Sequence, residues 1–345
     1  VILSVLKQDA AMRSLTELSE DERLFQATVR RFAAEVISPL VRSMDEEQKY
    51  APGLIAKMAE LGLMGIEIPE ELGGAGGSFF DAILAVEAIS AVDAAVALVI
   101  DIQNTLCVNS IRRWGSEAQQ QEWLPKMAEG VVCSYALSEA GSGSDAFAME
   151  TRATKTDAGY RLNGRKLWIS NAREAGLFLV FANLKPEAGY RGITGFLVPA
   201  GTKGLTVGRK EDKLGIRASS TCEVIFEDCE IPAAALFGEE GKGYKYAIEV
   251  LNEGRIGIGA QMLGVAQGAW NHAARYAQQR KQFGKPIAEF QAVQFTLAEM
   301  ATEIEAARLM VYNAARRKDA GLAYVTEAAM VKYYVSQVAE RVASQ

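Results

Sequence analysis

One histidine, His272, stands in the whole chain. That scarcity all but removes His-based zinc centres, Ser-His-Asp triads and Cys/His dyads from consideration. The four cysteines, Cys107, Cys133, Cys222 and Cys229, lack metal-ligand spacing and sit in apolar or strand-like surroundings. They are expected to be free thiols of a reducing compartment. An excess of positive charge is missing as well: the net charge is -6, charged residues make up 23%, and no basic tract offers a nucleic-acid footprint. The longest apolar stretch, residues 82–100, is interrupted by Glu87 and Asp93, so it reads as a buried helix with two polar contacts rather than a membrane span. No cationic segment followed by a signal-type apolar core opens the chain, so secretion is not expected. The first residue is Val1, which fits processing or a fragment at that end.

What is present can bury a large core. Hydrophobic residues are 49% of 345, enough for two or three structural units. Residues 1–130 read as helices. Ser19 with Glu22 three positions on is a capping-box pattern before an amphipathic run to about Val41, with Pro39 set to kink or end it. Further helices are expected over 52–63, 79–96, 102–114 and 116–129, with a glycine-rich loop at 70–78. From 131 the pattern changes to short β-rich runs at 150–156, 160–162, 177–182, 193–198, 205–207 and 223–226. Asn163-Gly164 carries hairpin-turn chemistry, and the spacing predicts a small antiparallel barrel or sandwich. After Pro232 helices return over 244–282, 290–320 and 324–342. Gly254, Gly257, Gly259, Gly264 and Gly268 lie inside the first of these, each at a cost of about 1 kcal/mol against alanine, which points to close helix packing or a ligand against the helix.

The segment with the most chemistry is 134–145, where Tyr135, Ser138, Gly141, Gly143 and Ser144 combine an aromatic, small hydroxyls and glycines. Gly141-Ser142-Gly143-Ser144-Asp145-Ala146 superficially matches a dinucleotide fingerprint, but such a fingerprint opens a helix in a βαβ unit, and here strands follow. A plain polar loop between strands is the alternative. Asn252-Glu253-Gly254-Arg255 interrupts an apolar, glycine-rich helix. The basic group 280–285 at that helix's end suits either the helix dipole or a pyrophosphate.

Taken with 167–170, 192–194, 213–222, 243–247 and 251–261, these stretches make the chain resemble the acyl-CoA dehydrogenase family over essentially its whole length, nearest to members acting on short-branched substrates. The resemblance implies an α+β fold with an N-terminal all-α domain (1–130), a middle antiparallel β-barrel domain (131–235) and a C-terminal helical bundle (236–345) whose last helices are missing. It implies FAD as cofactor, with Tyr135, Ala136, Leu137, Ser138, Gly143, Ser144, Trp168, Ile169 and Ser170 around the flavin, and Ser138 donating towards flavin N5 or O4. Arg280 and Gln291 would reach the FAD of a neighbouring subunit in a homotetramer built as a dimer of dimers. Ser144 and Tyr190 would contact CoA, and Tyr244, Asn252, Glu253, Gly254 and Arg255 would line the substrate channel. The implied reaction is α,β-dehydrogenation of a short or short-branched acyl-CoA, such as 2-methylbutyryl-CoA or isobutyryl-CoA, with electrons passed to an electron-transfer flavoprotein. A bacterial cytoplasm or a mitochondrial matrix would suit it.

The catalytic carboxylate departs from one branch of the family. That branch places it immediately before the arginine matching Arg255, where this chain has Gly254. Glu253 is rotated by about 100° around the helix and should not reach the same point. The other branch carries a glutamate in a final segment, expected here beyond Gln345, so no catalytic residue is assigned within the chain. A non-catalytic FAD- or CoA-binding scaffold and an acyl-CoA oxidase are the alternatives.

Overall fold

The structure, a computed structural model, describes residues 14–345, so the helical expectation for 1–13 lies outside the described residues. Ser19 starts α1 (Glu20–Phe32). Its hydroxyl accepts from the Glu22 amide at 3.2 Å, and the Glu22 carboxylate accepts from the Ser19 amide at 2.8 Å. These reciprocal bonds satisfy amides that have no helical partner. Pro39 bends the run without ending it: a π-turn at Ala33–Ile37 and a 3-10 turn at Ser38–Leu40 lead into α2 (Val41–Glu47). A residue without an amide cannot sustain the α-helical ladder there. A short α3 (Leu54–Glu60) follows.

The single helix expected over 79–96 is two, α4 (Phe79–Ser90) and α5 (Ala94–Asp101). Asp93 makes the break. Its carboxylate accepts from the amides of Ala95 at 2.7 Å and Val96 at 3.0 Å, which turns an apparent polar contact into an N-cap. From α5 the chain passes through a π-helical stretch, Ile102–Val108, into α6 (Asn109–Trp114). The resulting rod, Ala94–Trp114, is the one described helix long and apolar enough to cross a membrane, and 83% of its apolar window is buried inside the protein. α7 (Glu117–Ala128) closes this helical region.

The middle of the chain forms one eight-stranded sheet: β1 (Val132–Ala136), β2 (Arg152–Thr156), β3 (Gly159–Ser170), β4 (Ala175–Asn183), β5 (Ile193–Pro199), β6 (Leu205–Lys210), β7 (Thr221–Pro232) and β8 (Leu236–Phe237). The order is β6-β7-β3-β2-β4-β5-β8 with β1 beside β4. β1 and β2 run parallel to β4, and the other pairs are antiparallel. Asn163-Gly164 is not the hairpin turn. Both residues lie inside β3, and the chain reverses at 157–158 instead. Pairing with β7 fixes that strand, and Gly164 sits where its register shifts, with φ +147° and no room for a Cβ beside Thr151. Strand β4 is buried on both faces. Leu177, Leu179 and Phe181 meet Cys107, Ile111 and Met127 of the helical layer, while Phe178 and Val180 meet Phe196, Val224 and Phe226.

Three helices complete the described chain: α8 (Gly243–Gln279), then, after a small hairpin of β9 (Lys281–Gln282) and β10 (Lys285–Pro286), α9 (Gln291–Asp319) and α10 (Val325–Ser344). They share one core with the first helices, in which Val29, Phe80 and Ile83 meet Ile256, Leu263, Val311 and Val331. Polar links join the two ends of the chain as well. Asp319 accepts from the amides of Phe79 and Phe80 at the start of α4, and Arg316 makes paired hydrogen bonds of 2.5 and 2.9 Å to Glu22. The glycines of α8 serve close packing. A Cβ at Gly264 would lie 2.3 Å from the Glu87 carbonyl oxygen of α4, and one at Gly257 would lie 1.9 Å from Asp101 Oδ1. All four cysteines are free and buried, as expected.

Candidate functional site

Two distant stretches meet at the end of the sheet. The Ser138 carbonyl accepts from the Leu167 amide at 2.9 Å, and Ser134 Oγ donates to the Ser170 carbonyl at 2.8 Å. Tyr135-Ala136-Leu137-Ser138 and Trp168-Ile169-Ser170 therefore lie side by side. β3 changes register between Lys166 and Ile169, and both of these residues are buried. Between them Trp168 takes φ +57° and stands 54% exposed. A bulky residue in the left-handed region is strained and needs surroundings that hold it there. The bulge turns a large flat ring outwards beside Ser138.

Not every residue of this wall offers its side chain. Ala136, Leu137 and Ile169 are buried in the two cores behind it. The Tyr135 ring packs on Phe181 at 5.2 Å, and its hydroxyl is buried without a partner, so the expected cofactor role falls to its main chain. Burial raises the Tyr135 phenol well above its ordinary range. The next loop is open. Gly141 and Gly143 are exposed, neither has a positive φ, and a Cβ on either would meet nothing within 4 Å. Packing within the described residues does not demand glycine there, whereas a flat or phosphate-bearing ligand close to the backbone does. Together with the outward Trp168 ring, this cradle fits FAD.

Sequence reasoning missed Lys166. Its side chain is fully buried and pairs with Glu139 at 2.7 Å. Burial lowers the ammonium to about 8 against the pull of Glu139. Burial pushes the Glu139 carboxyl up, but Lys166 and the amides of Thr151 and Glu150 outweigh it and hold the group below its usual range. At neutral pH the pair is ionised. In the sequence Lys166 reads as one more polar residue of a strand.

A second group of aromatics stands at the start of α8. Tyr244 meets Tyr190 edge-on at 4.9 Å and Phe147 at 6.3 Å, which brings two of the expected substrate residues together and ties them to the loop that carries Ser144. Tyr190 and Ser144 are exposed. Farther along α8, Arg255 donates to the Asn252 side-chain oxygen.

Glu253 corrects the expectation of a channel residue. Its side chain is 1% exposed, and its carboxylate accepts from Asn109 at 2.8 Å, from Arg113, and from the Tyr324 hydroxyl at 3.3 Å, with Lys318 at 3.6 Å. Glu67 shares the cluster through Asn109 at 2.9 Å, Arg112 at 3.4 Å and Lys318 at 3.5 Å. Burial raises the Glu67 carboxyl, with Lys318, Asn109 and Arg112 opposing. Glu253 thus joins α6, α8 and the α9–α10 connection as a structural link. Beside Gly254 the space is filled by Leu106, whose Cδ2 would be 2.8 Å from an added Cβ.

Arg280 and Gln291 are exposed and flank the hairpin after α8, where the Arg280 carbonyl accepts from the Ile287 amide at 2.8 Å. α8 has 37 residues, roughly 55 Å at 1.5 Å per residue, so Arg280 is far from Tyr244 along it. Among the described residues no group of acidic, cysteine or histidine side chains is placed to hold a metal ion.

A helical, sheet, helical chain with this open cradle has the form of a flavin-dependent oxidoreductase. Family models match it in that order: the acyl-CoA dehydrogenase N-terminal domain over residues 19–131, the middle domain over 134–229 and the C-terminal domain over 241–345. The chain belongs to the acyl-CoA dehydrogenase family, whose members are FAD flavoproteins. It is 51% identical over 339 residues to a probable short/branched chain specific acyl-CoA dehydrogenase of Dictyostelium discoideum, covering 98% of this chain and 82% of that protein. It is 48% identical over 338 residues to the mitochondrial short/branched chain specific enzyme of Rattus norvegicus, covering 98% and 78%. Among solved structures, butyryl-CoA dehydrogenase of Megasphaera elsdenii matches with a TM-score of 0.92 and 41% identity over 94% of this chain and 86% of that one. A chain from the electron transferring flavoprotein study of Acidaminococcus fermentans matches with a TM-score of 0.93 and 42% identity, covering 95% and 86%.

Proposed function

We propose that this protein catalyses FAD-dependent α,β-dehydrogenation of a short or short-branched acyl-CoA thioester, yielding the 2-enoyl-CoA. The observation that carries the reading is the pairing of the outward Trp168 bulge with the Ser138 segment and the open glycine loop. The relatives named for short/branched-chain and butyryl-CoA substrates support the substrate class.

In this reading the Trp168 ring lies against the flavin and excludes water, and the Ser138 hydroxyl donates towards its polar edge. Ser144 and Tyr190 flank the CoA portion, with Tyr244, Asn252 and Arg255 along the acyl side of α8. FAD held there would supply the acceptor for the β-hydride and the electron pair for an electron-transfer flavoprotein. A carboxylate must take the α-proton as that hydride leaves. Glu253 is held by Asn109, Arg113 and Tyr324, so we do not assign the proton to it. Arg280 and Gln291, a helix length from Tyr244, fit contacts to a neighbouring copy's FAD in a homotetramer. The matched proteins include mitochondrial enzymes and one from Bacillus subtilis, and a matrix or bacterial cytoplasm suits the reaction.

The test is anaerobic stopped-flow mixing of the FAD-loaded protein, translated to its natural stop codon, with 2-methylbutyryl-CoA and isobutyryl-CoA. Bleaching of the flavin visible band with appearance of enoyl-CoA is expected. No bleaching with any short acyl-CoA contradicts the assignment.

A further inference from the structure

We propose that the buried Lys166–Glu139 ion pair is a positioning clamp that sets both walls of the flavin site in their binding shape before the cofactor arrives. The inference rests on the flavin reading of the site given above. Lys166 Nζ donates to Glu139 Oε1 at 2.7 Å and to the Leu137 carbonyl at 3.0 Å, with a longer contact to Met149 Sδ at 3.8 Å. The Glu139 carboxylate in turn accepts from the Glu150 amide at 2.6 Å and from the Thr151 amide at 3.1 and 3.3 Å. The glycine loop is therefore gripped at its entry, Leu137 to Glu139, and at its exit, Glu150 to Thr151, by one ammonium and one carboxylate. Glu139 and Ser142 close the nearest turn of the loop through mutual main-chain bonds of 3.1 and 3.2 Å. The part between, including Gly141, Gly143 and Ser144, stays exposed.

Lys166 also holds the other wall. It is the last residue before the register shift of β3, two positions ahead of Trp168. Anchored below the sheet surface, it fixes where the bulge begins, and Leu167 then bonds to Ser138 while Trp168 turns out. The strained φ of Trp168 needs such over-determination to persist. An apolar pair of the same size would fill this space at similar or better stability, because burying two charges costs several kcal/mol per ion. It would leave the Leu137 carbonyl and the two amides without their side-chain partners. What the ions add is a fixed shape.

Two measurements on the full chain test the clamp: amide hydrogen exchange in the FAD-free protein, and an FAD titration read by flavin visible absorption. Lys166→Met is expected to speed exchange of the 138–142 and 150–151 amides tenfold or more, with exchange in α8–α10 unchanged. It should weaken FAD binding at least tenfold and shift the visible bands of the saturated protein. A purely structural role would lower thermal stability and leave those bands where they are. If Lys166→Met does not fold, Glu139→Gln, which keeps an acceptor for one amide, should show the same pattern to a smaller degree. Unchanged loop exchange, or unchanged FAD affinity and spectrum in both variants, overturns the clamp. Trp168→Ala run alongside separates the two failures. If it weakens FAD while the clamp variants do not, the clamp alone is wrong; if neither affects FAD, the flavin reading falls with it.

Discussion

The Ser138 carbonyl and the Leu167 amide, joined at 2.9 Å, turn a loop after β1 and a bulge at the end of β3 into one surface. Everything proposed for the cofactor depends on that contact, because it brings the Trp168 bulge alongside the Ser138 segment.

Glu253 separates a structural from a substrate role. Its removal leaves Asn109 and Lys318 facing a buried gap, while Arg113, 39% exposed, can turn to water. Glu253→Ala should cost about 3 kcal/mol, the lower end for a broken buried pair. Urea unfolding measures it. A raised KM for acyl-CoA with unchanged stability would return Glu253 to the channel.

Gly264→Ala presses a methyl against α4. The added Cβ would lie 2.3 Å from the Glu87 carbonyl oxygen and 2.6 Å from Ser90 Cβ. The helices must part, at a net cost of roughly 1–3 kcal/mol despite alanine's better helix propensity. Equal or greater stability in denaturant would show that the two helices do not approach so closely.

Asp101 gives a pH signature. Burial raises its carboxyl to about 7, with the Thr105 hydroxyl at 2.9 Å opposing. The unfolded chain ionises this group near 3.8. Between these values the folded state holds the extra proton, so this group's contribution to stability falls as pH rises and reaches its full penalty above about 7. Asp101→Asn should remove that slope. The variant should match the parent near pH 4 and exceed it at pH 8 by up to roughly 4 kcal/mol. A difference independent of pH would contradict the shift.

How much of this could be read from the chain depended on how local the signal was. The Ser19–Glu22 box and the glycine loop announce themselves within a few residues, and both are where they were expected. Asp93 and Asn163-Gly164 misled because competing contacts decide them: a helix break converts Asp93 to a cap, and pairing with β7 keeps Asn163 inside a strand. Lys166 and Glu253 were hidden for another reason. Their partners, Glu139, Asn109 and Arg113, lie far away in sequence, and no periodicity reports such a pairing.

Arg280 tests assembly. Arg280→Ala should lower FAD occupancy in the oligomer, measured as flavin per chain after gel filtration. Equal occupancy in variant and parent would remove the contact between copies.

The most direct test of the flavin site is equilibrium FAD titration of the parent and of Trp168→Ala, read by visible absorption. Trp168 is 54% exposed, so its loss should leave the fold intact. The account predicts one FAD per parent chain, and in the variant at least tenfold weaker binding with displaced flavin bands. The same affinity and spectrum in both proteins would contradict it.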